Sequence, residues 1–173
     1  RQEAGPDFTC SIVVVDNDRN RTAANIVEEI RSCSGADIRY DVEPVKNIAL
    51  ARNRAVACAP GELLAFIDDD EYPAGGCWLR DLYQTYKKSG ADGILGPVEP
   101  HYLIRPPQWI EKGRFFSYRQ QYRTGEFLRW PECATSNALL SRKIFQSGIS
   151  FAEAFGSTGG EDTEFFWSAG TKG

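Results

Sequence analysis

Four consecutive acids, Asp68, Asp69, Asp70 and Glu71, follow directly on the apolar run Leu63-Leu64-Ala65-Phe66-Ile67. Carboxylates packed this closely repel one another unless water or a cation neutralises them. At the mouth of a buried strand they suit a hard divalent ion held through oxygen ligands and substrate phosphates. The other reading is a solvated acidic turn whose last acids sit near the start of the next helix. Asp16 ends a second β-branched run, Ser11-Ile12-Val13-Val14-Val15. In an open parallel sheet, ligands bind beyond the carboxyl ends of the strands. Asp16 and Asp68 to Asp70 then share one edge, and that shared edge favours the metal–phosphate role.

Gly159-Gly160-Glu161-Asp162 is a second constellation. Two glycines permit a backbone turn that larger residues resist, and the acids fall in a first helical turn. They either stabilise that helix start, at about 0.3–1 kcal/mol each, or supply a general base on a rigid support. Taken by itself, the pattern fits the stabilising role more readily.

The elements that must carry these acids can be read from periodicity. Residues 11–15 predict a buried strand, Thr22 to Ile30 a helix with Ile26, Val27 and Ile30 on one face, and Ile38 to Val42 a second strand. Asn47 can cap a helix from Ile48 to about Cys58, which Pro60-Gly61 stops. A third strand covers 63–67, a helix carries Trp78, Leu79, Leu82 and Tyr86 up to Ser89-Gly90, and a further strand begins at Gly93. Strands alternating with helices imply an α/β protein with a mainly parallel sheet. Glu99 to Pro131 breaks the pattern with prolines, aromatics and arginines, and reads as an excursion over the sheet edge. Ala134 to Phe145 returns to a compact pattern, and a last helix begins near Glu161.

The 173 residues, 42% hydrophobic and 25% charged, can bury a core as one domain, and disorder is excluded. With 24 acidic against 20 basic side chains, the net charge of -4 argues against a nucleic-acid partner. No apolar run approaches the ~20 residues that span a bilayer. The five cysteines (Cys10, Cys33, Cys58, Cys77 and Cys133) are odd in number, lack C-x-x-C spacing and lie far from the single histidine, His101. They read as reduced, mostly buried thiols of a cytoplasmic protein. The chain starts at Arg1 and has no methionine, which suggests a fragment.

Read in order, the motifs resemble family 2 glycosyltransferases with the GT-A fold. The matching phrases are Ile12-Val13-Val14-Val15-Asp16-Asn17, Ala51-Arg52-Asn53-Arg54, Pro60-Gly61-Glu62 and Phe66-Ile67-Asp68-Asp69-Asp70, then Gly159-Gly160-Glu161-Asp162-Thr163-Glu164-Phe165-Phe166. The phrases Asn47 to Asn53, Leu95-Gly96-Pro97-Val98 with His101-Tyr102, and Ser136-Asn137-Ala138-Leu139-Leu140 resemble bacterial exopolysaccharide glucosyltransferases of the succinoglycan type. The resemblance runs from about Phe8 to Phe166.

The resemblance implies a role for each acid. Asp16 matches the acid that contacts the nucleotide base. Asp68, Asp69 and Asp70 match the D-x-D region, where one acid meets the ribose and Asp70, with Asp68, holds Mn2+ or Mg2+ on the diphosphate. Asp162 matches the catalytic base, with Glu161 beside it. Arg52 could approach the diphosphate, as could Arg54, although adjacent helical turns usually put such side chains in solvent or surface pairs. His101 could meet substrate or be structural. Trp109, Phe115, Phe116, Tyr118 and Tyr122 could form an acceptor platform or a packed core.

The implied activity is inverting transfer of a hexose, glucose from UDP-glucose, to a saccharide or lipid-linked oligosaccharide acceptor in exopolysaccharide or cell-surface polysaccharide synthesis. It would act in the cytoplasm, at the inner face of the membrane. The alternative is a non-catalytic module that binds sugar nucleotide or polysaccharide on the same fold. A pyrophosphorylase would need a glycine-rich phosphate loop after the first strand, and none is present. Against the family pattern, the first strand and helix that precede Val13, the C-terminal part with a downstream histidine, and any membrane-associated portion lie outside residues 1–173. Those residues then form a single, incomplete GT-A domain.

Overall fold

The computed structural model describes residues 2, 7–117 and 121–172. Strand β1 (Ile12–Asp16), helix α1 (Ala24–Ser34), strand β2 (Ile38–Val42) and helix α2 (Ile48–Cys58) come first. Strand β3 (Leu63–Phe66), helix α3 (Trp78–Ser89), strand β4 (Gly93–Leu95) and helix α4 (Gln108–Gly113) follow. The chain then runs through strand β5 (Ala138–Ser141), helix α5 (Arg142–Gln146) and helix α6 (Glu161–Lys172). The α/β alternation expected up to β4 is observed, each boundary within two residues of its expected place except that α1 extends to Ser34.

Strand pairing is richer than one mainly parallel sheet. Strands β1 and β2 pair in parallel, with Ile12 opposite Ile38 and Asp16 opposite Val42. Strand β5 lies between β3 and β4 and runs antiparallel to both, which leaves β3 and β4 parallel to each other. Among the described residues no hydrogen-bonded ladder joins the β1–β2 pair to this trio. Among the described residues, the excursion after β4 contains the short helix α4 and a 3₁₀ turn at Trp130–Glu132, and it brings the chain back in the opposite direction, where a βαβ crossover would have kept it parallel.

All four residues of β5 are buried, so it is the central strand of its sheet. Its Ala138 and Leu140 meet Ala49 of α2, Ile149, Phe151 and Phe165 of α6 in the main core. Rings continue this core: Phe151 stacks on Phe165 with centroids 4.4 Å apart, and Phe66 of β3 meets Phe151 edge-on at 6.0 Å. Burying side chains of this size contributes about 1.5–3 kcal/mol each.

Two expectations about burial fail. Of the apolar residues expected on the inner face of α1, only Val27 is buried, while Ile26 and Ile30 are about half open. The cysteines are not mostly buried either: Cys10 and Cys33 are exposed and the other three half-buried, and no disulfide joins them. No described helix is long and apolar enough to cross a membrane.

Candidate active site

Helix α6 is aimed by its own buried face. Glu161, Phe165 and Ser168 recur at helical spacing and all three are buried. Phe165 is wedged between Phe145 and Phe151, which fixes the first turn of α6 against α2 and β5. Upstream, Gly159 and Gly160 take φ of 83° and 93°, a region L-residues resist, so the glycine pair expected to make the turn does so. Glu161, Asp162 and Glu164 then lie in the first turn, where the helix dipole favours carboxylates.

Helix α2 holds the facing side. Asn47 caps it, accepting from Leu50 N–H at 3.1 Å, and its amide donates to Glu153 C=O at 2.9 Å. A Cβ on Gly156 would lie 1.7 Å from Asn47 Oδ1, so this docking needs glycine. Asn53 clamps Phe151 through both of its polar atoms, donating at 2.8 Å and accepting at 2.9 Å. At the far end, Arg142 donates to the carbonyls of Val56, Ala59 and Gly61, capping the end of the helix. One helix therefore positions three distant segments.

Arg52, between those two asparagines, is the hub of the site. Its Nη1 donates to Glu161 Oε1 at 2.6 Å and to Asp162 Oδ1 at 2.7 Å, and its Nη2 reaches Asp68 Oδ1 at 3.3 Å. The guanidinium rests over the Phe151 ring, 5.6 Å from its centroid, and the side chain is only 12% exposed. The two acid motifs singled out from the sequence, at the end of β3 and the start of α6, thus meet on one arginine. Arg52, expected to approach the diphosphate, has its guanidinium engaged by these three carboxylates. Arg54 points elsewhere, gripping Asp41 of β2 at 2.7 and 3.2 Å.

Thr135 completes the frame, and sequence reasoning missed it. Fully buried, it donates its hydroxyl to Asp162 Oδ1 at 2.9 Å and its N–H to Oδ2 at 3.3 Å. It lies just before Ser136-Asn137, whose matching phrase was the available signal. Asn137, at φ 50°, accepts from Trp78 Nε1 at 2.7 Å and donates to Pro97 C=O at 2.7 Å. A Cβ on Gly96 would lie 2.3 Å from the Asn137 amide, so this bridge requires glycine there.

Asp16 stands apart from this cluster. Its Oδ2 accepts from Ala23 N–H at 2.9 Å and Tyr40 hydroxyl at 2.7 Å, and its Oδ1 from Asp18 N–H at 3.1 Å. Burial pushes its pKa up, but these three donors and nearby Arg21 outweigh it and hold the carboxyl below its ordinary value. Burial and the Asp16 charge in turn push the Tyr40 phenol up. Asn17 ties the β1 end to the loop after β2, donating to Glu43 C=O at 2.9 Å and accepting from Asn47 N–H at 2.9 Å. Between these loops, at the carboxyl ends of β1 and β2, lies an open cleft of about 480 Å³ lined by Asn17, Asp18, Arg19, Pro44, Val45 and Lys46.

Asp69 and Asp70 are exposed, and Asp68 takes part in a tight turn in which its N–H donates to Glu71 Oε2 at 3.1 Å. Among the described residues no three Asp, Glu, His or Cys side chains form a ready cation cage. The donor set does fit Mn2+ or Mg2+ shared with a diphosphate. It is oxygen-only and open, and Arg52 against Asp68, Glu161 and Asp162 leaves an excess of two negative charges. His101 is exposed and meets Tyr72 edge-on at 5.4 Å. Trp109, Phe115 and Phe116 are exposed, which excludes core packing for them, and Tyr122 is half-buried. Tyr118 lies outside the described residues.

Residues 2–148 match the model of Glycosyl transferase family 2. The chain is 39% identical over 156 residues to the succinoglycan biosynthesis protein ExoM of Rhizobium meliloti (strain 1021), covering 90% of this chain and 49% of that protein. It thus spans about half the length of that relative. The crystal structure of S. aureus TarS 1-349 matches with a TM-score of 0.67 at 20% identity, covering 92% of this chain and 45% of that one. The same TarS segment in complex with UDP matches at 0.65 and 20% identity, covering 94% and 47%. At that identity the likeness shows the fold, and the expected GT-A fold is the one present.

Proposed function

The chain belongs to glycosyl transferase family 2, and on that premise we propose that it carries the donor site and base of an inverting glycosyltransferase. It would move a hexose, glucose from UDP-glucose, to a saccharide or lipid-linked acceptor in exopolysaccharide synthesis. The observation that carries the reading is the meeting of Asp68 and Asp162 on Arg52, which sets donor-side and base-side acids one guanidinium apart. The ExoM relative supports the polysaccharide context, and the UDP in a TarS structure supports a uridine nucleotide donor.

The nucleoside would lie along the carboxyl edge of β1 and β2, where Asp16 and the adjoining cleft are placed. Asp16 contributes there as an ionised acceptor anchored by Tyr40. Asp69 would meet the ribose, and Asp68 and Asp70 would hold a divalent cation on the diphosphate. Such an ion, when bound, spreads the negative charge that builds on the leaving diphosphate. Asp162 takes the proton of the acceptor hydroxyl as its O–H bond breaks. The acceptor oxygen bonds the anomeric carbon from the face opposite the diphosphate, whose C–O bond breaks with the electron pair leaving on oxygen. General-base help of this kind supplies ~10²–10⁴-fold. Glu161, buried against Arg52, would position that guanidinium beside the base. The exposed Trp109, Phe115 and Phe116 suit an acceptor surface, since sugars stack on aromatic faces.

The cytoplasmic face of the membrane is the compartment that sugar-nucleotide chemistry implies. Residues 1–173 form a single GT-A domain in this reading. A panel of nucleotide sugars, tested for binding by thermal shift with Mn2+ and for turnover with saccharide acceptors, tests the proposal. Metal-dependent consumption of a UDP-hexose with acceptor supports it. Binding without turnover across a broad acceptor panel would favour the binding module instead.

A further inference from the structure

We propose that Thr135 is a positioning residue that, with Arg52, clamps Asp162 so that Oδ2 alone is left to accept the acceptor proton. The inference rests on Asp162 being the base, and goes further by assigning the reacting atom and a residue outside every expected motif. A carboxylate offers about four lone-pair sites across its two oxygens. Oδ1 is taken twice, by Arg52 Nη1 at 2.7 Å and the Thr135 hydroxyl at 2.9 Å. Among the described residues, Oδ2 carries only the Thr135 N–H, at the longer distance of 3.3 Å.

Thr135 is fully buried, so no solvent competes for its hydroxyl. The carboxylate it holds is 23% exposed, and a substrate can therefore reach it. Arg52 is seated on the Phe151 ring and Asp162 starts a helix pinned by Phe165, so both ends of the clamp are braced by the core. The proton passes from the acceptor hydroxyl to Oδ2 as that hydroxyl oxygen bonds the anomeric carbon, and the diphosphate departs with the bonding pair.

The test compares Thr135→Val with Thr135→Ser in steady-state kinetics and in crystal structures of the two variants. Thr135→Val removes the hydroxyl at nearly constant volume, and Thr135→Ser keeps it. For Thr135→Val, kcat falls about tenfold to a hundredfold with the donor KM within about twofold of wild type, the scale of a misplaced catalytic group. Thr135→Ser recovers to within about threefold, and the Asp162 carboxylate is turned in the valine variant and held in the serine variant. Wild-type kcat in Thr135→Val, an unmoved carboxylate there, or equal loss in both variants would overturn the clamp. If the wild-type protein transfers sugar from no donor, the transferase reading falls, and the carboxylate orientation in the two crystal structures still decides the clamp.

Discussion

Arg52 Nη1 lies 2.7 Å from Asp162 Oδ1, although 110 residues separate them in sequence. That contact joins the middle of α2 to the first turn of α6, and the same guanidinium extends to Asp68 at the end of β3. Two acid motifs that were legible separately in the sequence are thereby locked into one site by the arginine of a third element. Its energetics follow from burial: a cation that is mostly hidden must be matched by carboxylates, and these carboxylates need it.

Arg52→Ala therefore destabilises the protein by roughly 3–5 kcal/mol, the scale for stripping one partner from a buried ion pair. The partial exposure of Asp68 and Asp162 places the value toward the lower end. Urea unfolding measures it, and a loss below about 1 kcal/mol, the range of surface pairs, would contradict the hub role.

Gly156 and Asn47 are coupled through contact. Gly156→Ala pushes a methyl into the Asn47 amide and costs on the order of 1–3 kcal/mol, as over-packing does. Asn47→Ala removes a cap worth ~1 kcal/mol. In the Asn47→Ala background the glycine substitution costs much less, so a double-mutant cycle by urea unfolding yields a clear coupling energy. Simple additivity would mean that the two residues do not share this contact.

Acid sensitivity should include the Asp41–Arg54 pair. The Arg54 guanidinium, chiefly, with Val42 N–H and Cys58, outweighs burial and holds the Asp41 carboxyl down to about 2. A folded-state pKa below the unfolded value of ~3.9 contributes stability above pH ~4 that is lost as pH falls toward 2. Because both side chains are more than a third exposed, the contribution is about 1 kcal/mol or less. Melting curves of wild type and Asp41→Asn should differ at pH 6 and converge near pH 2. A constant gap across that range would rule out the pair as the source.

Transfer by a single displacement inverts the anomeric centre. With an α-linked UDP-hexose, NMR of the product should give a β-glycoside. An α-linkage would instead require a double displacement, for which the proposed mechanism provides no enzyme nucleophile, or attack from the same face as the diphosphate, which contradicts the proposed geometry.

Much of this site was legible because the chemistry is written in short local phrases. Asp68 to Asp70 follow an apolar strand, and Gly159-Gly160 precede an acidic helix start, so periodicity and glycine placement located both. The residues that join the motifs were harder to read. Arg52 is one of several arginines in the sequence, and only the fold reveals that its turn of α2 faces α6. Thr135 sits in an irregular stretch just before β5, where no period marks an inward side chain. The reversed direction of β5 was hidden for a related reason, since four buried residues read alike in a parallel or antiparallel strand. Aromatics in the 99–131 excursion left both an exposed platform and a packed core open, because composition alone does not distinguish core rings from exposed ones.

The most direct test of the central claim is the Asp162→Asn variant, measured for donor binding by calorimetry and for sugar transfer. The account predicts a donor dissociation constant within about twofold of wild type and a kcat reduced by ~10²–10⁴-fold, the span of general-base catalysis. Unchanged turnover in Asp162→Asn would remove Asp162 from the mechanism and contradict the account.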